Sequence, residues 1–209
     1  EAILSNEPEV INISLDAAKK ETYEKIRVRS DYHRVWSNIH RLINHRDKQK
    51  LKTKIMLNII EQKENNGEVE LFKNYWGGLA DRILVRPYLN NLGLTPNKFK
   101  DKLPDRWPCP QLWKRVSINK NGDIRFCVVD WENKSVLGNI ETSSIKSIWE
   151  NEEYNNLRKC HQNGDFKSGH SICEGCTDWR GMRWDWGYEK ALDALRGDKT
   201  VPDTPAPLD

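Results

Sequence analysis

Hydrophobic and polar positions change their period several times along the first ninety residues. Val10-Ile11-Asn12-Ile13-Ser14-Leu15 is a short β-rich run that ends at Asp16-Ala17-Ala18. Glu21 to Arg27 then predicts a first helical piece, and Asp31 can cap a second from Tyr32 to Arg46. In that second piece Val35, Trp36, Ile39, Leu42 and Ile43 recur at helical spacing. Lys52 to Ile60 reads as the next strand, because Ile55, Leu57 and Ile59 alternate with other residues. Gly67 precedes a helix carrying Val69, Leu71, Phe72, Tyr75 and Trp76, which Gly77-Gly78 ends. Asp81 to Arg86 predicts a third strand, and Pro87 stops it.

Strand, helix, strand, helix, strand in this order implies parallel strands joined by right-handed crossovers. In such sheets functional groups gather at the carboxyl ends of the strands. Those ends carry Ser14 and Asp16, then Glu61 with Asn65, then Arg86 with Tyr88. The plain alternative for all six is a polar strand end that caps a helix or faces water. From Asn90 to Asp105 the chain has Asn90-Asn91, Gly93, Pro96 and Pro104 and few β-branched residues, so it reads as a linker.

Beyond it the pattern shortens. Trp113 to Ile118 and Ile124 to Val129 are β-rich and flank Asn121-Gly122, the signal of a hairpin with a type I′ turn. Val136 to Asn139 predicts a short strand. Ser143 or Ser144 can cap a helix that ends at Trp149, and Glu152 to Cys160 predicts another. Tyr188 to Arg196 reads as a helix closed by Gly197, and Thr200 to Asp209 holds three prolines and reads as a tail.

Composition changes this picture only modestly. Charged residues make up 31% of the 209 and hydrophobic ones 37%, which suits a soluble, cytoplasmic protein with a modest core. No apolar run approaches the roughly 20 residues of a membrane span, and no signal peptide opens the chain. The net charge of +3 on 34 basic and 31 acidic residues gives no argument for nucleic acid. The chain opens at Glu1, which reads as a piece of a longer protein whose N-terminal part is missing.

The chemistry lies in the cysteines. Cys109 precedes the predicted hairpin, Cys127 sits on its second strand, and Cys173-Glu174-Gly175-Cys176 is a tight CxxC loop. Without a secretory signal, metal ligation outranks a disulfide framework. Four thiols can close around one zinc or hold an iron–sulfur cluster, and ligand count does not separate the two. Cys160 is left over on a helical piece and reads as a small packed residue. His161 and His170 are alternative ligands, with a surface role as the plainer reading. Trp179, Trp184 and Trp186 follow the CxxC and are expected to pack over the cluster loop.

The surrounding text carries a resemblance. Cys109-x12-Gly122-x4-Cys127, with Cys109-Pro-Gln-Leu-Trp113, Asn121-Gly-Asp123, Leu137-Gly-Asn139, Ser147-Ile-Trp149 and Cys173-x2-Cys176, resembles the SPASM and twitch modules. These are auxiliary iron–sulfur domains of radical S-adenosylmethionine (SAM) enzymes. Full SPASM patterns add cysteines after the CxxC, and none follows Cys176 here, so the chain looks like the shorter, single-cluster form. That form is similar in layout to twitch-domain dehydrogenases acting on an aminocyclitol alcohol. The first half looks like strands four to six of the family's partial barrel.

The resemblance implies an α/β fold: the C-terminal half of a partial (β/α)6 TIM-like barrel over 1–93 and a linker over 94–106. A small α+β SPASM/twitch domain follows over 107–180, then a C-terminal helix and tail over 181–209. It implies Cys109, Cys127, Cys173 and Cys176 as ligands of an auxiliary 4Fe–4S cluster, and Ser14, Asp16 and Arg86 as contacts to SAM. The auxiliary cluster is expected to accept an electron from a substrate radical or to support the active site of an oxidoreductase. A sugar-like or peptide substrate and a reducing donor such as flavodoxin or ferredoxin would be its partners. The family's catalytic CxxxCxxC, which holds a second 4Fe–4S cluster and cleaves SAM, is absent from these residues, so this chain alone is expected to be inactive. The competing readings are a zinc-stabilised, non-catalytic binding module and a small iron–sulfur electron carrier.

Overall fold

The structure, a computed structural model, describes residues 3–95, 105–184, 190, 193 and 195–197. It divides between Tyr88 and Leu89 into two compact units, and the described residues from 190 to 197 group with the first. The expectations for Trp186 and for the tail from Thr200 lie outside the described residues, as do residues 96–104 of the linker.

The first unit is a three-stranded parallel sheet with its helices. Its elements are β1 (Val10–Ser14), α1 (Lys20–Ile26), α2 (Tyr32–Lys48), β2 (Lys54–Glu61), α3 (Val69–Trp76) and β3 (Arg82–Pro87). The strand order is β1-β2-β3, both pairs parallel, as the alternation of strands and helices requires. Asp31 caps α2 by accepting the Arg34 N–H at 3.0 Å. Ile55, Leu57 and Ile59 of β2 pack with Ile39, Ile43, Phe72 and Trp76 of the helices. The register Asn12↔Met56↔Arg82 and Ser14↔Asn58↔Leu84 defines the other face of the sheet. Met56, Asn58, Arg82 and Leu84 are buried there too. β2 is therefore covered on both faces, as a central parallel strand is, rather than on the one face its alternation predicts.

Two carboxylates, the buried Glu68 and the partly exposed Asp81, lock this unit. Glu68 reaches back some fifty residues to accept the N–H groups of Ala18 (2.9 Å) and Lys19 (3.1 Å) and the Thr22 hydroxyl, satisfying the start of α1. Asp81 accepts the Ile55 N–H at 2.8 Å and pairs with Arg46 and Lys54.

The second unit is built from shorter pieces. They are α4 (Gln111–Lys114), β4 (Ser117–Ile118), β5 (Asp123–Arg125), β6 (Val136–Asn139), α5 (Ile145–Trp149), α6 (Glu152–Gln162), α7 (Phe166–Gly169) and α8 (Ser171–Glu174). The strands form an antiparallel β4-β5-β6 sheet. Ser144 and Asn151 cap α5 and α6 through their side chains.

The hairpin forms, with two differences from expectation. Trp113 lies on the helical turn α4, so the first strand is only Ser117–Ile118. The turn is not type I′: Gly122 has φ 84° but Asn121 is not among the positive-φ residues. Gly122 N–H bonds to Asn119 O at 3.0 Å and Asn119 N–H to Asp123 O at 2.9 Å, a type I turn followed by a left-handed glycine. The second strand also stops early, at Arg125, and Cys127 lies in the irregular segment beyond it. Arg125 bonds the Asp130 carbonyl, and the Asp130 carboxylate accepts the N–H groups of Ser135 (2.7 Å) and Glu132 (3.2 Å). These bonds satisfy a backbone that has left its ladder.

Candidate metal centre

Four elements of the second unit deliver its cysteines to one place. Cys109 sits just ahead of α4, Cys127 beyond β5, Cys173 on α8, and Cys176 one residue after the turn at Gly175. All four line a single cavity, together with Arg106, Gln111, Leu112, Phe126, His161 and Trp179. All are free thiols. Cys160 is not among the lining residues; its Cβ faces Gly169.

The electrostatics describe sulfurs gathered out of water. Burial pushes the Cys109 thiol up to about 11 and the Cys127 thiol up to about 12. It raises Cys173 and Cys176 as well. Cys109, Cys127 and Cys173 also feel charge on other cysteines of the set, so uncompensated thiolates would repel one another here. Backbone donors oppose that cost. The N–H of Gln111 hydrogen-bonds Cys109, that of Val129 bonds Cys127, and those of Asp178 and Trp179 bond Cys176. N–H groups aimed at sulfur stabilise the thiolate, the form that ligates metal. Donor set and surroundings therefore fit a centre held by four thiolates.

Arg106 is the nearby cation. Its Nη1 donates to the Cys173 carbonyl at 2.6 Å, and its guanidinium lies 3.8 Å over the Phe166 ring. Burial lowers its pKa, and charge on Cys176, Cys173 and Cys109 acts the other way. Asp178 ties the CxxC loop to the start of the unit by accepting the N–H groups of Asn90 (2.6 Å) and Leu92 (2.8 Å). Trp179 is buried edge-on against Trp107, with ring centroids 4.5 Å apart. Trp184 packs on Trp113 and donates to the Pro108 carbonyl at 2.8 Å. These rings cover the segment around Cys109, as expected of the tryptophans after the CxxC. A second cleft, bordered by Trp131, Glu132, Lys134 and Ile172, reaches Cys176 from outside.

The two histidines separate. His170 accepts the Ile172 N–H and packs against Phe126. His161 is buried in the cavity wall. Its inward position was legible, because Tyr154, Leu157 and His161 form the buried stripe of α6 at helical spacing. Arg106 had no comparable signal beyond its place three residues before Cys109.

The strand-end candidates lie in the first unit. Ser14 and Arg86 are exposed at the carboxyl ends of β1 and β3, and the register puts both on the sheet face away from the packed helices. Asp16 is buried, with φ 63°. One carboxylate oxygen accepts the Ile60 N–H at 2.9 Å and the other pairs with Arg27. Asn65 is likewise consumed, donating to the carbonyls of Asp16 (2.8 Å) and Ile60 (2.7 Å).

The family comparison falls within the second unit. Residues 109–177 match the family model of SPASM, an iron-sulfur cluster-binding domain. The chain is 29% identical over 93 residues to an uncharacterized protein of Treponema pallidum (strain Nichols), a match covering 44% of this chain and 26% of that protein's length. Among solved structures it is similar to BtrN in complex with AdoMet and 2-DOIA, with 13% identity, a TM-score of 0.41, and 81% of this chain and 92% of that one covered. It is also similar to selenomethionine BtrN in an open conformation, at 11% identity and a TM-score of 0.34 over the same shares.

Proposed function

We propose that Cys109, Cys127, Cys173 and Cys176 hold one 4Fe–4S cluster, and that this cluster serves as the auxiliary centre of a radical SAM oxidoreductase. The observation that carries the reading is the convergence of four thiols, from segments up to 67 positions apart, on one cavity whose walls supply N–H donors to sulfur. The SPASM match over the same residues supports it.

Among the described residues no three His, Cys, Asp or Glu side chains converge tightly enough to hold a single metal ion. One zinc draws all its sulfurs into one coordination sphere, whereas a cluster presents a separate iron to each thiolate. The iron–sulfur family match over the same residues favours the cluster over the zinc module.

When bound, the cluster supplies one-electron redox chemistry. The chain's own residues prepare for it. Four cysteine ligands leave no iron open to substrate, which suits electron transfer or support of the active site. Arg106 offsets negative charge at the thiolates, and Trp107, Trp179 and Met182 keep water from them. In the first unit Ser14 and Arg86 are exposed residues at strand ends on the same sheet face, and their hydroxyl and guanidinium are suited to SAM's ribose and carboxylate. A role for Asp16 toward SAM requires its carboxylate to leave Arg27. A small sugar-like or peptide substrate and a flavodoxin- or ferredoxin-type donor complete the reading.

The test is metal and sulfide analysis of the chain reconstituted without oxygen in the presence of both iron and zinc. About four irons and four sulfides per chain, lost together in Cys109→Ala and Cys176→Ala, is the expected result. One zinc without sulfide would overturn it. Membership of a SAM enzyme is checked separately, by SAM binding to the full-length protein and its Ser14→Ala and Arg86→Ala variants.

A further inference from the structure

His161 is 2% exposed and lines the cavity of the four cysteines. Its Nδ1 lies 3.3 Å from the backbone nitrogen of Cys109 and receives that N–H. A peptide N–H only donates, so Nδ1 carries no proton. A ring whose Nδ1 accepts a hydrogen bond is not the doubly protonated imidazolium, so it is neutral. A neutral imidazole with a bare Nδ1 holds its proton on Nε2. That Nε2 is buried and has no hydrogen-bond partner among the described residues. A buried donor left unpaired loses its hydration without a replacement bond. The rest of the ring is engaged by Phe166, edge-on at 5.0 Å, and by Gly169 beside Cδ2. Among the wall's buried polar atoms without a partner (Arg106 Nε, Gln111 Oε1 and His161 Nε2), the histidine nitrogen belongs to the ring already fixed to the Cys109 backbone.

We infer that His161 donates its Nε2–H to the cluster or to a ligating sulfur, and thereby sets how readily the centre is reduced. The inference rests on the iron–sulfur reading above. His161 is a positioning and tuning residue. One nitrogen anchors the Cys109 backbone while the other offers a proton to the group that Cys109 holds. A donor directed at a cluster stabilises the reduced state, which carries one more negative charge, over the oxidised state, and so raises the reduction potential.

The experiment is a redox titration of the reconstituted full chain, followed by electron paramagnetic resonance of the reduced cluster, with iron and sulfide measured in every sample. Asn at position 161 keeps an acceptor near Nδ1 for the Cys109 N–H but lacks a donor at Nε2; Gln reaches the Nε2 position with an amide N–H. His161→Asn is expected to keep its cluster and to show a midpoint potential below that of the wild type. His161→Gln is expected to return toward it. Equal potentials in wild type and His161→Asn, with full cluster in both, would overturn the role of His161 and leave the cluster assignment standing. Should His161→Asn lose iron, His161→Gln decides. A filled cluster with a wild-type potential supports the donor, and loss of iron there too assigns His161 to anchoring Cys109 alone and overturns the inference. A wild-type chain without iron and sulfide would instead overturn the reading on which the inference rests.

Discussion

The two units are held together in different ways. The first has a continuous core in which Ile55, Leu57 and Ile59 meet Ile39, Ile43, Phe72 and Trp76, and its buried carboxylates Asp16 and Glu68 are paired within the unit. The second has strands of two to four residues and a core cluster of Leu112, Phe126, Tyr154, Leu157 and Cys173 beside a cavity ringed by thiols. Regular elements can bury an apolar face without help. Short pieces around a thiol-lined cavity depend on what fills it. Apolar area stabilises the first unit, and ligation is expected to stabilise the second.

The largest test of this contrast is removal of the metal. In structural metal sites the binding free energy is also folding free energy, on the order of 10 kcal/mol in small zinc domains. Cys173→Ala, or chelation of the reconstituted protein, should abolish hydrogen-exchange protection at the amides around β5, β6 and α6 while those of β1–β3 keep theirs. Protection retained in both places would mean that the second unit folds on its apolar cluster alone. Next comes the first unit's own core. Trp76 is fully buried among Trp36, His40 and Tyr75, and Trp76→Ala should cost about 3–5 kcal/mol in denaturant unfolding of the α/β unit.

The Asp81–Arg46 pair gives a somewhat smaller effect and a pH signature. Burial by itself would raise the Asp81 carboxyl, but the Ile55 N–H, Lys54 and Arg46 outweigh it and hold it below the ordinary carboxylate range. A carboxyl depressed in the folded state stabilises fully above its unfolded value, and that contribution is lost as pH falls through the folded value. Wild-type stability should therefore drop below about pH 4, the ordinary Asp range. Asp81→Asn should cost about 3 kcal/mol at pH 7, because it leaves the buried Arg46 poorly compensated, and should flatten the acid limb. The smallest change returns to the second unit. A Cβ on Gly138 would lie 2.8 Å from two carbons of the Ile148 side chain, so Gly138→Ala should cost about 1–3 kcal/mol by overpacking β6 against α5. Thermal melts of the reconstituted protein would read this. An unchanged midpoint would show that Ile148 repacks freely.

Much of the first unit was legible because its signals are local and repeated. The Asp31 cap, the helical stripe ending at Ile43 and the alternation at Ile55, Leu57 and Ile59 each recur within a few residues. The second unit was less so. Trp113 and Val116 have β-prone side chains, yet Trp113 sits in a helical turn that follows Pro110. Asn121-Gly122 marked the hairpin but not its turn type, since Asn tolerates both signs of φ and the length of the loop decides. Asp16 looked like a free strand-end carboxylate. Its engagement by Arg27 and by the Ile60 N–H, across the β1–β2 pairing, appears only once the strands are in register.

By itself the sequence determined the order of elements, the parallel sheet they must form and the four cysteines, because period, capping and residue chemistry act over short stretches of chain. Only the tertiary structure decided which polar groups remain available for function. Glu68 serves the start of α1 and Asp178 the backbone at Asn90 and Leu92, whereas Nε2 of His161 is left without a partner beside the thiols. The physical reason is that a hydrogen-bonding group is claimed by whatever lies within about 3 Å of it, and separation along the chain does not report that distance.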